Sequence, residues 1–450
     1  MKRIASLIAC FASSVCCTLC EAQTAYSLGQ LTDSALHSNI AMRSARQDME
    51  AARQQRKEAL TKYFPSVSAT GLWFNANKGM AQTSLNPAEM ITPSMAQTLA
   101  ATLPAEALAA LQSPIGVSML KNGTVAGITA LQPVFAGGQI VNANRLARVG
   151  EEASRLQMQL SENEVEKTTC QYFWQISSLQ EKMNTVEAVE TLLADLHKDV
   201  AVAVAAGVAM RNDLLQVELR QNEVQSQRLK LHNAMGIVKL LTAQYCGLSD
   251  TTFTIAATDN GSEPIMPERK NHDDALPETA EYRLMGKQVE AARLQKNIAV
   301  GQNMPSLAVG AGYNYHNLLD RDHAFAMLFA TVSVPITDWW GGSYAIKRKK
   351  IAQRKAEEQL ADNAQRLTIR MQNAWNSVDE ARQQLLIAKR SIEQAEENMR
   401  LHRDYYRAGT CTMSSLLEAQ MLYQQARDKH TDAYAELQNK ILEYRQATGQ

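Results

Sequence analysis

Two parts of this chain carry the same landmarks at the same spacing, and that duplication limits the fold more than any single motif. Pro133 opens Pro-Val-Phe-Ala-Gly-Gly, and Gly207 follows later in Ala-Gly-Val-Ala-Met-Arg-Asn-Asp-Leu-Leu. Pro335 opens Pro-Ile-Thr-Asp-Trp-Trp-Gly-Gly, and Gly409 follows at the same interval in Ala-Gly-Thr-Cys-Thr-Met-Ser-Ser-Leu-Leu. Gly247 and Gly449 then lie equally far beyond those two glycines. One constant offset of 202 carries all three landmarks across, and it sets Leu214-Leu215 on Leu416-Leu417. Toward the N-terminus Glu50-Ala51-Ala52-Arg53 recurs as Glu290-Ala291-Ala292-Arg293, and Phe64-Pro65-Ser66 as Met304-Pro305-Ser306, at an offset of 240. The difference between the two offsets falls between Pro65 and Pro133, so one loop is long in the first copy and short in the second. Such a pattern marks one structural unit used twice.

Each copy is dominated by a seven-residue period. Met371, Val378, Leu385, Ile392, Met399 and Tyr406 keep that step, with Ala374, Ala381, Ala388 and Ala395 interleaved. Leu416, Tyr423, His430, Leu437 and Tyr444 continue it beside Ala419, Ala426 and Ala433. In the first copy Leu179, Val186, Leu193 and Val200 do the same, as do Val217, Val224, Leu231, Val238 and Tyr245. Large residues alternating with alanine let antiparallel helices approach closely along a seam. Each copy therefore reads as a very long helix, a glycine turn at Gly207 or Gly409, and a return helix, the glycines serving as C-terminal caps. From Gly342 to Tyr406 such a helix extends about 100 Å at 1.5 Å per residue.

Between the helices the period changes to two. Val67, Ala69, Gly71 and Trp73 alternate with Ser66, Ser68 and Thr70, and Leu307, Val309, Ala311, Tyr313 and Tyr315 alternate with small or polar residues. Strands are expected at about 65–76, 124–135, 305–316 and 324–335, with the length and aromatic ends of transmembrane β-strands. Four strands cannot close a barrel, and lipid does not tolerate open edges. If these strands span a membrane, several chains share one barrel, and three chains supply twelve strands.

Lys and Arg balance Asp and Glu at 46 each, which argues against a polyanion-binding surface and gives no nucleic-acid partner. Lys2 and Arg3 precede an apolar run from Ile4 to Val15, a signal peptide with cleavage expected after Ala22. A lipobox-like Leu7-Ile8-Ala9-Cys10 lies inside it, on an apolar stretch that is short for lipidation. The mature chain keeps Cys170, Cys246 and Cys411, whose scatter suits single thiols rather than a disulfide framework or a metal cluster. The organisation is then a signal peptide at 1–22, a first repeat at 23–247, a linker at 248–277 and a second repeat at 278–450. The segment 77–122 is poor in charge, and Pro104 to Leu111 is expected to form a short amphipathic helix within it.

Signal peptide, duplicated helix–strand–strand–helix–helix units, Pro with Gly-Gly at the strand exit, and Ala-Gly followed by Leu-Leu together resemble the TolC-type outer membrane efflux proteins, over nearly the whole mature chain. The resemblance implies a mainly α fold with membrane β structure: a long antiparallel coiled-coil helical barrel below a trimeric twelve-stranded β-barrel. It implies a homotrimer in outer membrane lipid of a Gram-negative bacterium. Its periplasmic tip would dock to an adaptor (membrane fusion) protein, and an inner-membrane pump would supply energy for efflux or type I secretion. The other reading of the same residues is a periplasmic coiled-coil adaptor or tether without a pore, although an adaptor has one hairpin between small β-domains rather than two equivalent units.

The resemblance carries Ala206, Gly207, Val208, Ala408, Gly409 and Thr410 onto the adaptor-docking tip. It carries Asp213 and Tyr406 onto a pore constriction, to which Glu418 adds an acid where the matched position is Ser415. Where better-known members have a basic residue two past the second glycine, this chain has Cys411. Each assignment has a simpler counterpart: glycines that only cap helices, and acids that only complement a helix N-terminus. Trp73, Trp339 and Trp340 suit interfacial anchors, whereas Trp174 and Trp375 fall within helices and suit packing. His316, His323, Asp320 and Asp322 are the one compact group of potential metal ligands, and a polar turn accounts for them more simply, so no metal is assigned. No nucleophile–base spacing, phosphate loop or zinc motif is present, so neither an enzyme nor a cofactor is expected.

Overall fold

A computed structural model describes residues 25–104, 106–107, 115–256, 264–318, 321–336 and 338–450. The expected signal peptide, with Cys10 and Ala22, lies outside these residues, as do Asp320 and most of 108–114. The chain forms two compact units, one from segments ending at Arg53, Gly150–Val289 and Lys355–Gln450, the other from Gln54–Val149 and Glu290–Arg354.

In chain order the elements are β1 (Ala25–Tyr26), α1 (Leu28–Ser38), α2 (Ile40–Thr61), β2 (Ser66–Asn75), β3 (Ala81–Leu85), α3 (Pro93–Thr102), β4 (Ile115–Met119), β5 (Asn122–Ala136), α4 (Gln139–Ala205) and α5 (Arg211–Cys246). They continue with β6 (Thr254–Ile255), α6 (His272–Ala275), α7 (Ala280–Gln302), β7 (Ser306–Leu318), β8 (Arg321–Ser333), α8 (Asp338–Arg407) and α9 (Met413–Ala447). No helix is long and apolar enough to cross a membrane among the described residues.

The first unit is helical, and its core follows the seven-residue seams. Val186, Leu193, Val200, Val217, Val224, Met371, Val378, Leu437 and Tyr444 are all buried to about the last percent of their surface. The N-terminal helices are tied to the end of α5 by side chains that answer its orphan carbonyls. Ser34 Oγ donates to Cys246 O at 2.9 Å and Asn39 Nδ2 donates to Tyr245 O at 3.0 Å. Ser27 and Gln30 form a reciprocal capping box that starts α1. The core around Trp174 includes Phe173 and Tyr434 with ring centroids 5.2 and 5.5 Å away, so Trp174 packs, as Trp375 does against Tyr444 at 5.1 Å.

The linker is more ordered than its lack of periodicity suggests. Phe253 is buried, β6 pairs in parallel with β1, and Met266 packs into the cluster formed by α8 and α9. Lys270 N donates to Tyr444 Oη at 3.0 Å, and Arg269 stands 5.7 Å from the Trp375 ring. His272 is 8% exposed, and its Nε2 has no hydrogen-bond partner. Burial first, then the Arg269 charge, lowers the His272 pKa below the ordinary imidazole value.

The second unit holds a four-stranded sheet in the order β2-β5-β7-β8, antiparallel throughout. It is open, with β2 and β8 as its edges. Pro133, which has no N–H for a ladder, sits at the bulge between Pro133 and Phe135. The charge-poor segment adds a paired β3 and β4 and a helix at Pro93–Thr102, while most of the expected Pro104 to Leu111 helix lies outside the described residues. The two Gly-Gly pairs adopt different conformations. Gly137 and Gly138 form a turn with positive φ, whereas Gly341 and Gly342 lie inside α8, which begins at Asp338. Gly137 is pressed against Gly301: a Cβ on Gly301 would stand 2.5 Å from Gly137 O.

Two outcomes follow for stability. Gly137→Ala combines φ +59 with that close approach, and should cost about 2 kcal/mol or more in guanidinium unfolding. Gly236→Ala, in α5 with nothing near the added carbon, should gain up to about 1 kcal/mol. For His272, the depressed folded pKa means that the unfolded chain binds the extra proton, so stability is complete above the ordinary imidazole value and is lost as pH falls below it. His272→Gln should flatten part of the fall in thermal midpoint between about pH 7 and about pH 5; an unchanged slope would contradict the assignment.

Candidate docking tip and channel wall

The two glycine turns are built alike down to individual hydrogen bonds. At the end of α4, Gly207 N donates to Val204 O and Val208 N to Ala203 O, both at 3.0 Å. At the end of α8, Gly409 N donates to Tyr406 O at 3.0 Å and Thr410 N to Tyr405 O at 2.9 Å. These are Schellman caps, which need a left-handed residue; φ is +76 at Gly207 and +72 at Gly409. Nothing lies within 4 Å of a Cβ built on either glycine, so backbone conformation and not crowding requires them. Ala206, Gly207, Val208, Ala408, Gly409 and Thr410 are all exposed, and Val208 keeps 80% of its surface.

The residues just past each turn start the return helices. Met210 N donates to Asp213 Oδ2 at 3.3 Å, and Ser415 N donates to Thr412 Oγ1 at 3.2 Å. Asp213 and Ser415 thus hold the same position of their helices, each serving a local cap. Beneath them Val200, Val217, Met413 and Leu416 are buried in one cluster, with Tyr406 packed against it. Burial, then the Asp213 charge, raises the Tyr406 pKa. The fold therefore brings Asp213 and Tyr406 together, beside a cavity of ≈ 600 Å³ that Arg403 and Gly409 also line. Glu418 is on α9 and does not line it. Cys411 is half-exposed and its thiol donates to Thr412 O at 3.4 Å. Cys170 and Cys246 are buried, with pKa values pushed up to about 12 and about 11 by burial, so both are poor nucleophiles.

A polar clasp above the tip joins the two return helices. Arg220 on α5 donates from Nε to Gln420 Oε1 at 3.2 Å and from Nη2 to Gln424 Oε1 at 3.0 Å, both on α9. Its Nη1 meets Glu223 at 2.9 Å, and Gln424 Nε2 donates to Gln227 Oε1 at 2.9 Å. Gln420 and Gln424 are 2% and 3% exposed, so the guanidinium satisfies carbonyls that water does not reach. The signal available in sequence was two glutamines four apart, set among the seam residues Leu416, Ala419 and Ala426.

The register fixes which strand residues share a face. Register places Val67, Ala69 and Trp73 of β2, Ala126, Ile128 and Ala130 of β5, Val309, Ala311 and Tyr313 of β7, and Ala326, Leu328, Ala330 and Val332 of β8 on one side. The other side carries Ser66, Ser68, Thr70, Thr129, Asn314 and Thr331 with several glycines, together with Leu72, Val125, Leu131, Phe325, Met327 and Phe329. Apolar residues on the first side stand open: Val67 69%, Leu328 87% and Val332 69% exposed. Trp73 (71% exposed) lies toward the Asn75 end of the strands, and Trp340 (83% exposed) follows their opposite end, in α8. The side chain of Trp339 is outside the described set. His316 and His323 pair across β7 and β8 with rings 5.3 Å apart, while Asp322 belongs to the opposite face, accepting from Tyr315 Oη at 2.7 Å. Among the described residues no group of three or more His, Cys, Asp or Glu is placed to hold a metal ion.

Arg220→Met should leave the two glutamine carbonyls without donors and cost about 1–3 kcal/mol. Guanidinium unfolding measures it, and a wild-type midpoint would show the clasp to be idle.

Residues 274–450 match the family model described as outer membrane efflux protein. No curated protein sequence matches the chain. Among solved structures, the fold is similar to the outer membrane protein VceC from Vibrio cholerae (14% identity, 94% of this chain and 96% of that chain, TM-score 0.73). It is also similar to CusC (13%, 94% and 92%, TM-score 0.77) and to the Campylobacter jejuni CmeC outer membrane channel (14%, 94% and 85%, TM-score 0.73). Residues 274–450 are therefore similar to the outer membrane efflux protein family, in a chain whose fold is similar to that of these outer membrane proteins.

Proposed function

We propose that this chain is the outer membrane exit duct of a tripartite efflux or type I secretion system, working as a passive homotrimer. The observation that carries the proposal is the sheet: one exposed apolar face and two open edges in each chain. In lipid, such edges are tolerable only when paired. Three sheets joined edge to edge give a closed barrel of twelve strands, with the Ser, Thr, Gly and Asn side turned to a water-filled lumen. The duplication supports the same reading, because six near-equivalent hairpins around one axis need matched seams and matched turns. At the far end of the helices, the exposed Ala206–Val208 and Ala408–Thr410 turns dock a periplasmic adaptor, through which an inner-membrane pump supplies energy.

Asp213 and Glu418 are assigned to the constriction where the three chains converge, with Tyr406 as the aromatic wall beside Asp213. Like charges gathered on one axis attract cations. Asp213→Asn with Glu418→Gln should reduce cation selectivity in planar bilayers, and unchanged reversal potentials would remove both acids from the pore. Gly409→Arg should abolish crosslinking to the adaptor while trimers persist. Heat-modifiable oligomers in the outer membrane fraction are the expected state of the protein. A soluble periplasmic monomer would instead establish the adaptor or tether reading.

A further inference from the structure

The balanced charge of this chain conceals a sharp local imbalance. The four stretches of helix that enter or leave the sheet within its unit are residues 54–62, 139–149, 290–302 and 338–354. Together they carry twelve Lys and Arg residues and only Glu58, Glu290 and Asp338 as acids. The densest part is Lys347, Arg348, Lys349, Lys350 and Arg354 on α8, directly after the exposed aromatics Trp340 and Tyr344.

The register fixes where this band lies. Ser66, Ser306 and Ser333 belong to the same end of the sheet, and each is followed or preceded by one of these helices. At 1.5 Å per residue, Lys347, Arg348 and Lys350 lie about 14–18 Å along α8 from its start, and Arg354 about 24 Å. The basic residues of the other three helices lie within about 14 Å of that end of the sheet. Headgroups occupy the first several ångströms outside the hydrocarbon, and the Debye length adds about 8–10 Å. Two of the lysines make local contacts. Lys347 Nζ rests 5.6 Å from the Tyr344 ring centre, and Lys349 Nζ donates to Gln295 Oε1 at 2.9 Å, which fixes α8 against α7. Arg348, Lys350 and Arg354 are exposed, as are Lys57, Arg145 and Arg293 on the other helices.

We propose that this band is a lipid-binding collar for the anionic phospholipids of the periplasmic leaflet, with Lys347, Arg348, Lys350 and Arg354 as its strongest contacts. The proposal rests on the membrane-channel reading above. An aromatic pair at the hydrocarbon boundary, followed at once by a run of basic residues without acids, matches the order of an anionic bilayer surface: acyl chains, interface, phosphate. The collar sets the depth of the barrel in the membrane and orients the helices below it.

Reconstituted trimers with spin-labelled lipids test this directly. Wild-type protein should hold phosphatidylglycerol several-fold more strongly than phosphatidylcholine, and the preference should fall as salt is raised. Replacing Lys347, Arg348, Lys350 and Arg354 together by Gln should bring the ratio close to one while heat-modifiable oligomers persist. Equal association of the two lipids with inserted wild-type protein overturns the collar. So does a variant that keeps the lipid preference but shifts the ionic reversal potential, since the band would then line the pore. Wild-type protein that fails to insert at all overturns the channel reading itself, which the insertion assay registers separately.

Discussion

The open edges of a four-stranded sheet dominate the physics of this chain. Each edge leaves a row of backbone donors and acceptors without partners, and one face of the same sheet is apolar and exposed. In water these features would promote aggregation, and in lipid an unpaired edge is forbidden by the cost of each bare amide. The proposed trimer answers both difficulties at once, because it would close the sheet with further copies inside a membrane. The two-residue alternation and the proposed trimer both become consequences of that requirement.

The helices face a different constraint. Seams filled by Val, Leu and Met against Ala are non-directional, and hold equally well after a slip of one heptad. Specific features define the register. Schellman caps at Gly207 and Gly409 stop both long helices at equivalent points of the two copies, and Asp213 and Thr412 start the return helices. The Arg220 clasp then locks α5 to α9, because its donors meet Gln420 and Gln424 in one alignment only. Near the other end of α9, Tyr444 receives Trp375, His272 and the linker backbone. Polar contacts thus supply position where apolar packing supplies cohesion.

Much of this architecture was legible beforehand, for identifiable reasons. Heptads, cap glycines and strand alternation are local, so the residues themselves display them. The turn glycines were located in sequence, and the structure gives both the left-handed conformation that caps demand. Less legible were features made by residues distant in sequence. Arg220 lies 200 positions from Gln420, and nothing in its neighbourhood announces a partner. His272 looked like part of a loop and proved to be buried against Tyr444. His316 and His323, expected in a polar turn, instead pair across two strands, with Asp322 on the opposite face because adjacent strand positions alternate.

The sequence alone determined that this chain has two matched helical hairpins and four strand segments of membrane length, since each depends on periodicity or on residue type at a fixed spacing. Tertiary structure decided which strands are neighbours, and hence that Val67, Ile128, Tyr313 and Leu328 from the two halves share one face of one sheet. It also decided that Asp213 meets Tyr406, that Arg220 joins the two return helices, and that basic residues from four separate helices gather at one end of the sheet. Those are pairings between residues remote in sequence. They are selected by how well whole surfaces fit, which no local pattern encodes.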